Sequence, residues 1–247
     1  MRRLTAFALA AALAAVPAAG CSAQGSKGAD GRDDAAFGAR VRAYLLAHPE
    51  VIQEAMGRQQ AKEEAAAATA ARAALAANRA AVERDPRDPV SGAKDGKVVL
   101  TEFFDYRCPY CKVAAPQLPA FLKAHPDVRL VYKEFPILSQ ASEDAAKLAL
   151  AAKLQGRYDP VHLAFMKAPS LDAATTEAIL RDNGVDVARA RADAASPAVA
   201  KQVADVRALA RTLGVNATPT FIVGDTVSNG WSPEELDTAI KAAAPGR

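Results

Sequence analysis

The chain has 247 residues, 51% of them apolar by count but only 6% aromatic, and a formal net charge of +3. That length supports one or two domains with a sizeable core, and because alanine inflates the apolar fraction the large hydrophobes must be concentrated somewhere. The charge is small and no basic block stands out, so nothing in the composition asks for nucleic acid.

Residues 1–23 read as a secretory signal. Arg2 and Arg3 form a positive start, and Leu4 to Val16 is an apolar stretch too short to span a bilayer as a stable helix. Small residues then precede Cys21 in Pro17-Ala18-Ala19-Gly20-Cys21, a pattern that fits lipoprotein processing with Cys21 as the lipidated N-terminus. Ala18 stands three before that cysteine, where a leucine is usual, and ordinary cleavage nearby, for instance after Ala23, is the alternative. Either route takes the mature chain to the periplasm or cell envelope, membrane-anchored if Cys21 carries lipid, where disulfides persist. The remaining cysteines, Cys108 and Cys111, leave one pair for the folded part.

Residues 24–34 form a polar, glycine-rich linker. From Ala35 the spacing of Phe37, Val41, Tyr44 and Leu45 predicts one face of a helix. His48-Pro49 ends it, and Pro49 suits the start of a second amphipathic segment carrying Val51, Ile52, Ala55 and Met56. Residues 57–84 are alanine with Arg, Lys, Glu and Gln, and Leu75 and Val82 are their only large aliphatics, which predicts a long exposed rod. The apolar stripe of 37–56 needs a partner. Identical subunits are the commonest source, and folding of the stripe onto its own domain is the alternative. Residues 35–85 are therefore read as a helical N-terminal oligomerisation stalk, with Asp85-Pro86-Arg87-Asp88-Pro89 as the boundary to a domain over 86–247.

That domain opens with a short strand near Val90, a turn at Lys94-Asp95-Gly96 and a strand over 97–104. A helix follows Pro109, and Pro116 inside it predicts a kink. Val128 to Phe135 is the second strong strand. Residues 139–213 form a helical block with Gly156 and Gly184 as stop signals and Ser196-Pro197 opening its last helix. Thr220 to Val223 is a third strand, followed by a weaker one near Thr226-Val227. Ser232-Pro233-Glu234-Glu235 reads as a capping box at the start of a terminal helix. The order of elements predicts an α/β chain, a thioredoxin fold with a helical insertion at about 139–213.

Cys108-Pro109-Tyr110-Cys111 lies where a strand meets the first turn of a helix, the geometry of a thioredoxin-type redox site. Partial positive charge and unpaired N–H groups gather there and favour a thiolate, the nucleophile of disulfide exchange. Cys108 is expected to be the exposed attacking thiolate and Cys111, one turn on, to resolve mixed disulfides, with Pro109 stiffening the pair. A c-type haem site needs histidine where Lys112 stands, and a structural zinc needs two more ligands, which the scattered His48, His125 and His162 do not supply. No metal site and no cofactor are therefore assigned. A buried structural disulfide does not ordinarily sit between a strand and a helix with proline inside it, so that reading fails too.

Thr218-Pro219 precedes the strand over 220–223. In a thioredoxin fold such a proline is cis, lies beside the cysteines, and exposes backbone at residue 218 to pair with an extended substrate; a trans proline at a strand start is the alternative. Glu102 shares a strand face with Phe104 and is expected to be buried beneath the cysteines, where burial raises its pKa and lets it move a proton; a salt-bridged charge at a strand end is the alternative. Lys133 and Glu134 are placed on the accessible edge of the sheet, and Trp231 is read as a packing residue.

From Val98 to Ile240 the chain resembles the DsbA-like thiol–disulfide oxidoreductase family. The resemblance is carried by Glu102-Phe103-Phe104-Asp105-Tyr106-Arg107-Cys108-Pro109-Tyr110-Cys111, by Tyr132-Lys133-Glu134-Phe135-Pro136-Ile137-Leu138, and by Gly214-Val215-Asn216-Ala217-Thr218-Pro219-Thr220-Phe221. His48-Pro49-Glu50-Val51-Ile52 is similar to the N-terminal region of the ScsC (suppressor of copper sensitivity C) branch, in which a helical stalk makes oligomers and some members isomerise disulfides. The resemblance implies Cys108 as nucleophile, Cys111 as resolving thiol, Glu102 as buried acid, and Pro109, Tyr110, Thr218 and Pro219 at the substrate. Strongly oxidising members carry histidine where this chain has Tyr110, so its disulfide should be less oxidising. Threonine before the cis proline is similar to the isomerase and ScsC branches.

The implied protein is an exported disulfide isomerase or reductase acting on periplasmic clients as a dimer or trimer, kept reduced by a membrane redox partner. A DsbA-type dithiol oxidase is the alternative. A Cu(I)-binding chaperone using the two thiolates ranks below both, since the chain has only three methionines and three histidines.

Overall fold

The computed structural model of the protein describes residues 30–244. The expected signal at 1–23, Cys21, and the linker up to residue 29 lie outside the described residues. The chain divides into two compact units, Met1–Ala61 and Lys62–Arg247.

In the first unit, α1 (Asp30–Ala47) starts inside the stretch expected to be linker. His48 and Pro49 break the helix as expected, and α2 (Glu50–Ala77) follows. Phe37, Val41, Tyr44, Ile52 and Met56 are all exposed.

The second unit begins within α2, and here the expected boundary at residue 86 needs correction. Leu75 near the end of α2 is 3% exposed, and Val82 on the short α3 (Arg79–Glu83) is fully covered. Both pack with Phe103, Phe135, Val206 and Ile222. The alanine-rich run is thus an exposed rod only until its two large aliphatics, which bury as core residues of the second unit.

A five-stranded sheet forms the centre of that unit. Its strands are β1 (Val90–Gly92), β2 (Val98–Phe104), β3 (Val128–Glu134), β4 (Thr220–Val223) and β5 (Thr226–Asn229), in the order β1-β3-β2-β4-β5. β2 and β3 are parallel and the other pairs antiparallel. Every residue of β2 is buried. Period-two alternation sends Leu100 and Phe104 into one hydrophobic cluster and Phe103 into the other.

The helix after β2 is interrupted as Pro116 predicts, giving α4 (Pro109–Ala114) and α5 (Leu118–Ala124). The insertion comprises α6 (Gln140–Leu154), α7 (Tyr158–Lys167), α8 (Ala173–Asp182), α9 (Val187–Ala194) and α10 (Pro197–Leu213). Side chains of Ser139, Asp172, Asp186 and Ser196 cap α6, α8, α9 and α10 in turn. Gly156 and Gly184 stop α6 and α8 with φ of 71°. The terminal α11 (Pro233–Ala243) departs from expectation at its start, because Ser232 makes no side-chain cap and Glu235 instead accepts a 2.8 Å hydrogen bond from Ser228.

Lys133 is not on an accessible edge. Its side chain is buried, donating to the carbonyl of Ala81 at 2.6 Å and to the carboxylate of Asp88. β3 is flanked on both sides by β1 and β2, and the segment containing α3 and Asp88 covers this face, so the lysine meets a counter-charge rather than water. Replacing Leu75 by alanine should lower the unfolding free energy by about 2–4 kcal/mol. Denaturant unfolding of the full chain reads this out, and an unchanged midpoint would return the end of α2 to a free-standing stalk.

Candidate active site

The loop from β2 to α4 is fixed by one side chain. Asp105 accepts from its own loop at the Arg107 N–H (2.7 Å) and from across the fold at the Ile137 and Leu138 N–H groups (2.8 and 3.0 Å). Its carbonyl accepts the Cys108 N–H at 3.0 Å. These bonds deliver Cys108 to the N-cap of α4 with extended backbone, followed by Pro109 at the first helical position. The Cys111 N–H points back at the Cys108 sulfur, 3.4 Å away. An unpaired helix amide thus faces the first cysteine, as the spacing predicts.

The Thr218–Pro219 peptide is cis, and the carbonyl of Thr218 accepts a 3.1 Å hydrogen bond from the Cys108 thiol. This contact corrects the expectation of an exposed Cys108, which is 4% exposed. The loop before β4 covers the sulfur from a position 110 residues away in sequence. Tyr110, between the cysteines, is 72% exposed. Cys111 is a free thiol like Cys108 but fully buried, and burial pushes its pKa far up, with the charge of Glu102 adding to the effect.

Glu102 is fully buried on the same sheet face as Phe104, and neither carboxylate oxygen has a hydrogen-bond partner among the described residues. Burial alone pushes its pKa up to about 8. No cation compensates it, so the alternative of a salt-bridged strand-end charge does not hold.

Glu134, expected at an edge, is also buried. Its Oε1 accepts from the hydroxyls of Tyr106 (2.9 Å) and Tyr158 (2.8 Å), and His162 Nδ1 lies 3.1 Å from the Tyr106 hydroxyl. Burial, above all, holds the Glu134 carboxyl well above its usual range, while burial drops His162 to about 3. This network ties the residue two before Cys108 to α7. Sequence reading missed it because Tyr158 and His162 come from the insertion. The polar pair Lys133-Glu134 ending a strand whose preceding residues 130–132 are apolar or aromatic was the only signal. Trp231 packs against Phe121 and Phe221 as expected, with ring centroids 5.4 and 5.6 Å apart.

Comparison with known proteins agrees with this geometry. Residues 99–241 match the model of the DSBA-like thioredoxin domain, and residues 33–66 match that of the copper resistance protein ScsC N-terminal domain. A thioredoxin-like oxidoreductase from Silicibacter pomeroyi is 39% identical with a TM-score of 0.65, over 67% of this chain and 97% of that one. A linker-deletion mutant of Proteus mirabilis ScsC is 25% identical with a TM-score of 0.65, over 88% of this chain and 98% of that one. Among curated proteins, a Na(+)/H(+) antiporter NhaA of Herminiimonas arsenicoxydans is 31% identical over 173 residues, 66% of this chain. The chain spans about a quarter (27%) of the length of that relative. Among the described residues no helix is long and apolar enough to cross a membrane.

The buried state of Glu102 has a measurable consequence. A carboxyl whose pKa rises from 4.5 in the unfolded chain to about 8 in the fold keeps its proton on folding between those values. The folded state then binds more protons, so this group's contribution to stability is full below pH 4.5 and falls as pH rises toward 8. The slope is about 1.4 kcal/mol per pH unit for one proton. Glu102→Gln should remove that slope, so that the variant gains on the wild type from pH 5 to pH 8. Parallel stabilities across this range, by chemical denaturation, would show that Glu102 is ionised at little cost.

Proposed function

The chain belongs to the DSBA-like thioredoxin-domain family and is a thiol–disulfide oxidoreductase of the DsbA and ScsC type, and from that premise we infer that it is an exported disulfide isomerase or reductase. The observation that carries this reading is the Cys108 sulfur, held between the amide of Cys111 in the first turn of α4 and the carbonyl of Thr218, with Cys111 and Glu102 buried nearby.

Cys108 acts as the nucleophile. Its thiolate attacks one sulfur of a client disulfide, the new bond joins Cys108 to the client, and the departing client sulfur takes the electron pair of the broken bond. From the mixed disulfide two exits exist. A client thiolate attacks and leaves a rearranged client disulfide, or Cys111 attacks Cys108 and releases a reduced client, leaving the Cys108–Cys111 disulfide. Cys111 is unreactive as a buried thiol, so its proton must be removed at that step. Glu102 is the group proposed to take it, from the ionised fraction that a pKa of about 8 leaves at neutral pH, in which it is a stronger base than an ordinary carboxylate. The backbone of Thr218, exposed by the cis bond to Pro219, pairs with the client backbone as an added strand, while Pro109 fixes the helix start and the exposed Tyr110 meets the client.

Two features support isomerase or reductase over oxidase. Tyr110 puts an uncharged ring where a histidine cation would favour the reduced state of a strong oxidant. The N-terminal unit matches the ScsC N-terminal domain and carries Phe37, Tyr44, Ile52 and Met56 exposed, a stripe that a second copy of the chain would cover. An assembly of two or three subunits presents several cysteine pairs to one client. An isomerase must also be kept reduced, which implies an electron-donating partner in the membrane. The signal-like start supports a periplasmic or envelope location, with a lipid on Cys21 as one form of it; a structurally similar chain from Salmonella enterica, 27% identical, is a periplasmic thioredoxin-like protein.

Refolding of scrambled ribonuclease decides the direction. Reduced protein should restore nuclease activity and Cys108→Ser should not. Phe37→Glu with Tyr44→Glu should reduce the particle to one subunit in light scattering and remove isomerase activity while simple thiol exchange persists. No reactivation, together with rapid oxidation of a reduced peptide by the disulfide form, would establish a dithiol oxidase instead.

A further inference from the structure

The cysteine pair is bracketed by cations in sequence, with Arg107 directly before Cys108 and Lys112 directly after Cys111. The fold turns both into the lining of one surface cavity of about 410 Å³, closed on its far side by the loop between α7 and α8 that includes Pro169, Ser170 and Asp172. Lys112 is anchored at the wall. Its ammonium donates to the carbonyls of Met166 at 3.2 Å and Ala168 at 2.6 Å, at the C-terminal end of α7. Arg107 is exposed, and neither cation forms an ion pair among the described residues.

One carboxylate lies on the rim, and it is engaged elsewhere. Asp172 caps α8, accepting the Thr175 N–H at 2.8 Å and the Ser170 hydroxyl at 2.7 Å. The two cations press on each other, since burial and then the charge of Arg107 lower the pKa of Lys112. A second anion placed between them would relieve that repulsion, with a planar guanidinium on one side and an ammonium on the other.

We propose that this cavity is an anionic subsite beside the nucleophile, which takes the side-chain carboxylate of an aspartate or glutamate lying near the client cysteine under attack. The proposal rests on the reading of Cys108 as nucleophile and adds a preference among clients. Its chemical use is direct. An acidic neighbour repels an incoming thiolate and makes a disulfide slow to react with other thiols, and two cations from the residues that flank the cysteine pair would offset that handicap.

The test uses the reduced full-length protein and short peptides whose single cysteine is a mixed disulfide with 2-mercaptoethanol. Glutamate, glutamine or lysine is placed in turn at each of the positions flanking the cysteine, and second-order rate constants for reaction with Cys108 are measured by stopped flow at low ionic strength. At the best position the glutamate peptide should react about two- to fivefold faster than the glutamine peptide, the range of an exposed charge pair. High salt should bring this ratio toward one, as should Arg107→Gln. Arg107→Glu should invert it, so that the lysine peptide becomes the fastest. Using ratios removes any general effect of Arg107 on the reactivity of the neighbouring sulfur. A ratio of one at every position while all peptides react overturns the subsite and leaves the nucleophile standing, and so does a glutamate preference that survives Arg107→Glu. Failure of every peptide to react overturns the reading of Cys108, and the subsite with it.

Discussion

The covering of β2 on both faces is the constraint on which the rest of this fold depends. A strand with no solvent face must place every second residue in each of two cores. Leu100 and Phe104 do so on one side, Phe103 on the other, and Glu102 has nowhere to go but inside. The same burial makes the end of β2 a rigid platform. Asp105, one residue past the strand, locks the following loop against residues 137 and 138, and α4 starts where that lock releases the chain. Cys108 is therefore positioned by the strand behind it more than by the short helix it caps.

Two carboxyls lie buried on adjacent parallel strands, and they are handled differently. Glu134 is given two phenolic donors, whereas Glu102 is given none. Burial pushes both Tyr132 and Glu134 upward in the same core, and the charge of Glu102 adds to that push on each. Two carboxylates in one low-dielectric layer do not ionise independently. The proton inventory beneath the cysteines is thus a property of the layer and not of one side chain. Tyr106, bonded to Glu134 and two residues before Cys108, connects that layer to the loop that carries the nucleophile.

What was legible in the sequence was what local rules decide. The strand running into Cys108, the helix beginning at Pro109, the interruption at Pro116 and the glycine stops at 156 and 184 each follow from residues a few positions apart. The cis peptide before Pro219 was legible only because the cysteine pair had already suggested the fold around it. The rest depended on partners far away in the chain. Lys133 was misplaced because its counter-charge, Asp88, comes from the proline-bounded segment read only as the boundary of the domain. Glu134 was misplaced because its donors include Tyr158 of the insertion. Leu75 and Val82 looked like incidental aliphatics in an alanine run, and nothing within that run says that Phe103 and Val206 wait to cover them. At Ser232 the local pattern for a cap was present, but Glu235 was already engaged with Ser228 across the turn.

The hydrogen bond from the Cys108 thiol to the carbonyl of Thr218 has a consequence for how the site waits. In the docking proposed above, that carbonyl is the acceptor an arriving extended chain would use. At rest it is occupied by the enzyme's own sulfur, so docking and unmasking are one exchange of donors. Under that reading the loop before β4 would act as a turnstile, turned by a visiting strand that takes the sulfur's place.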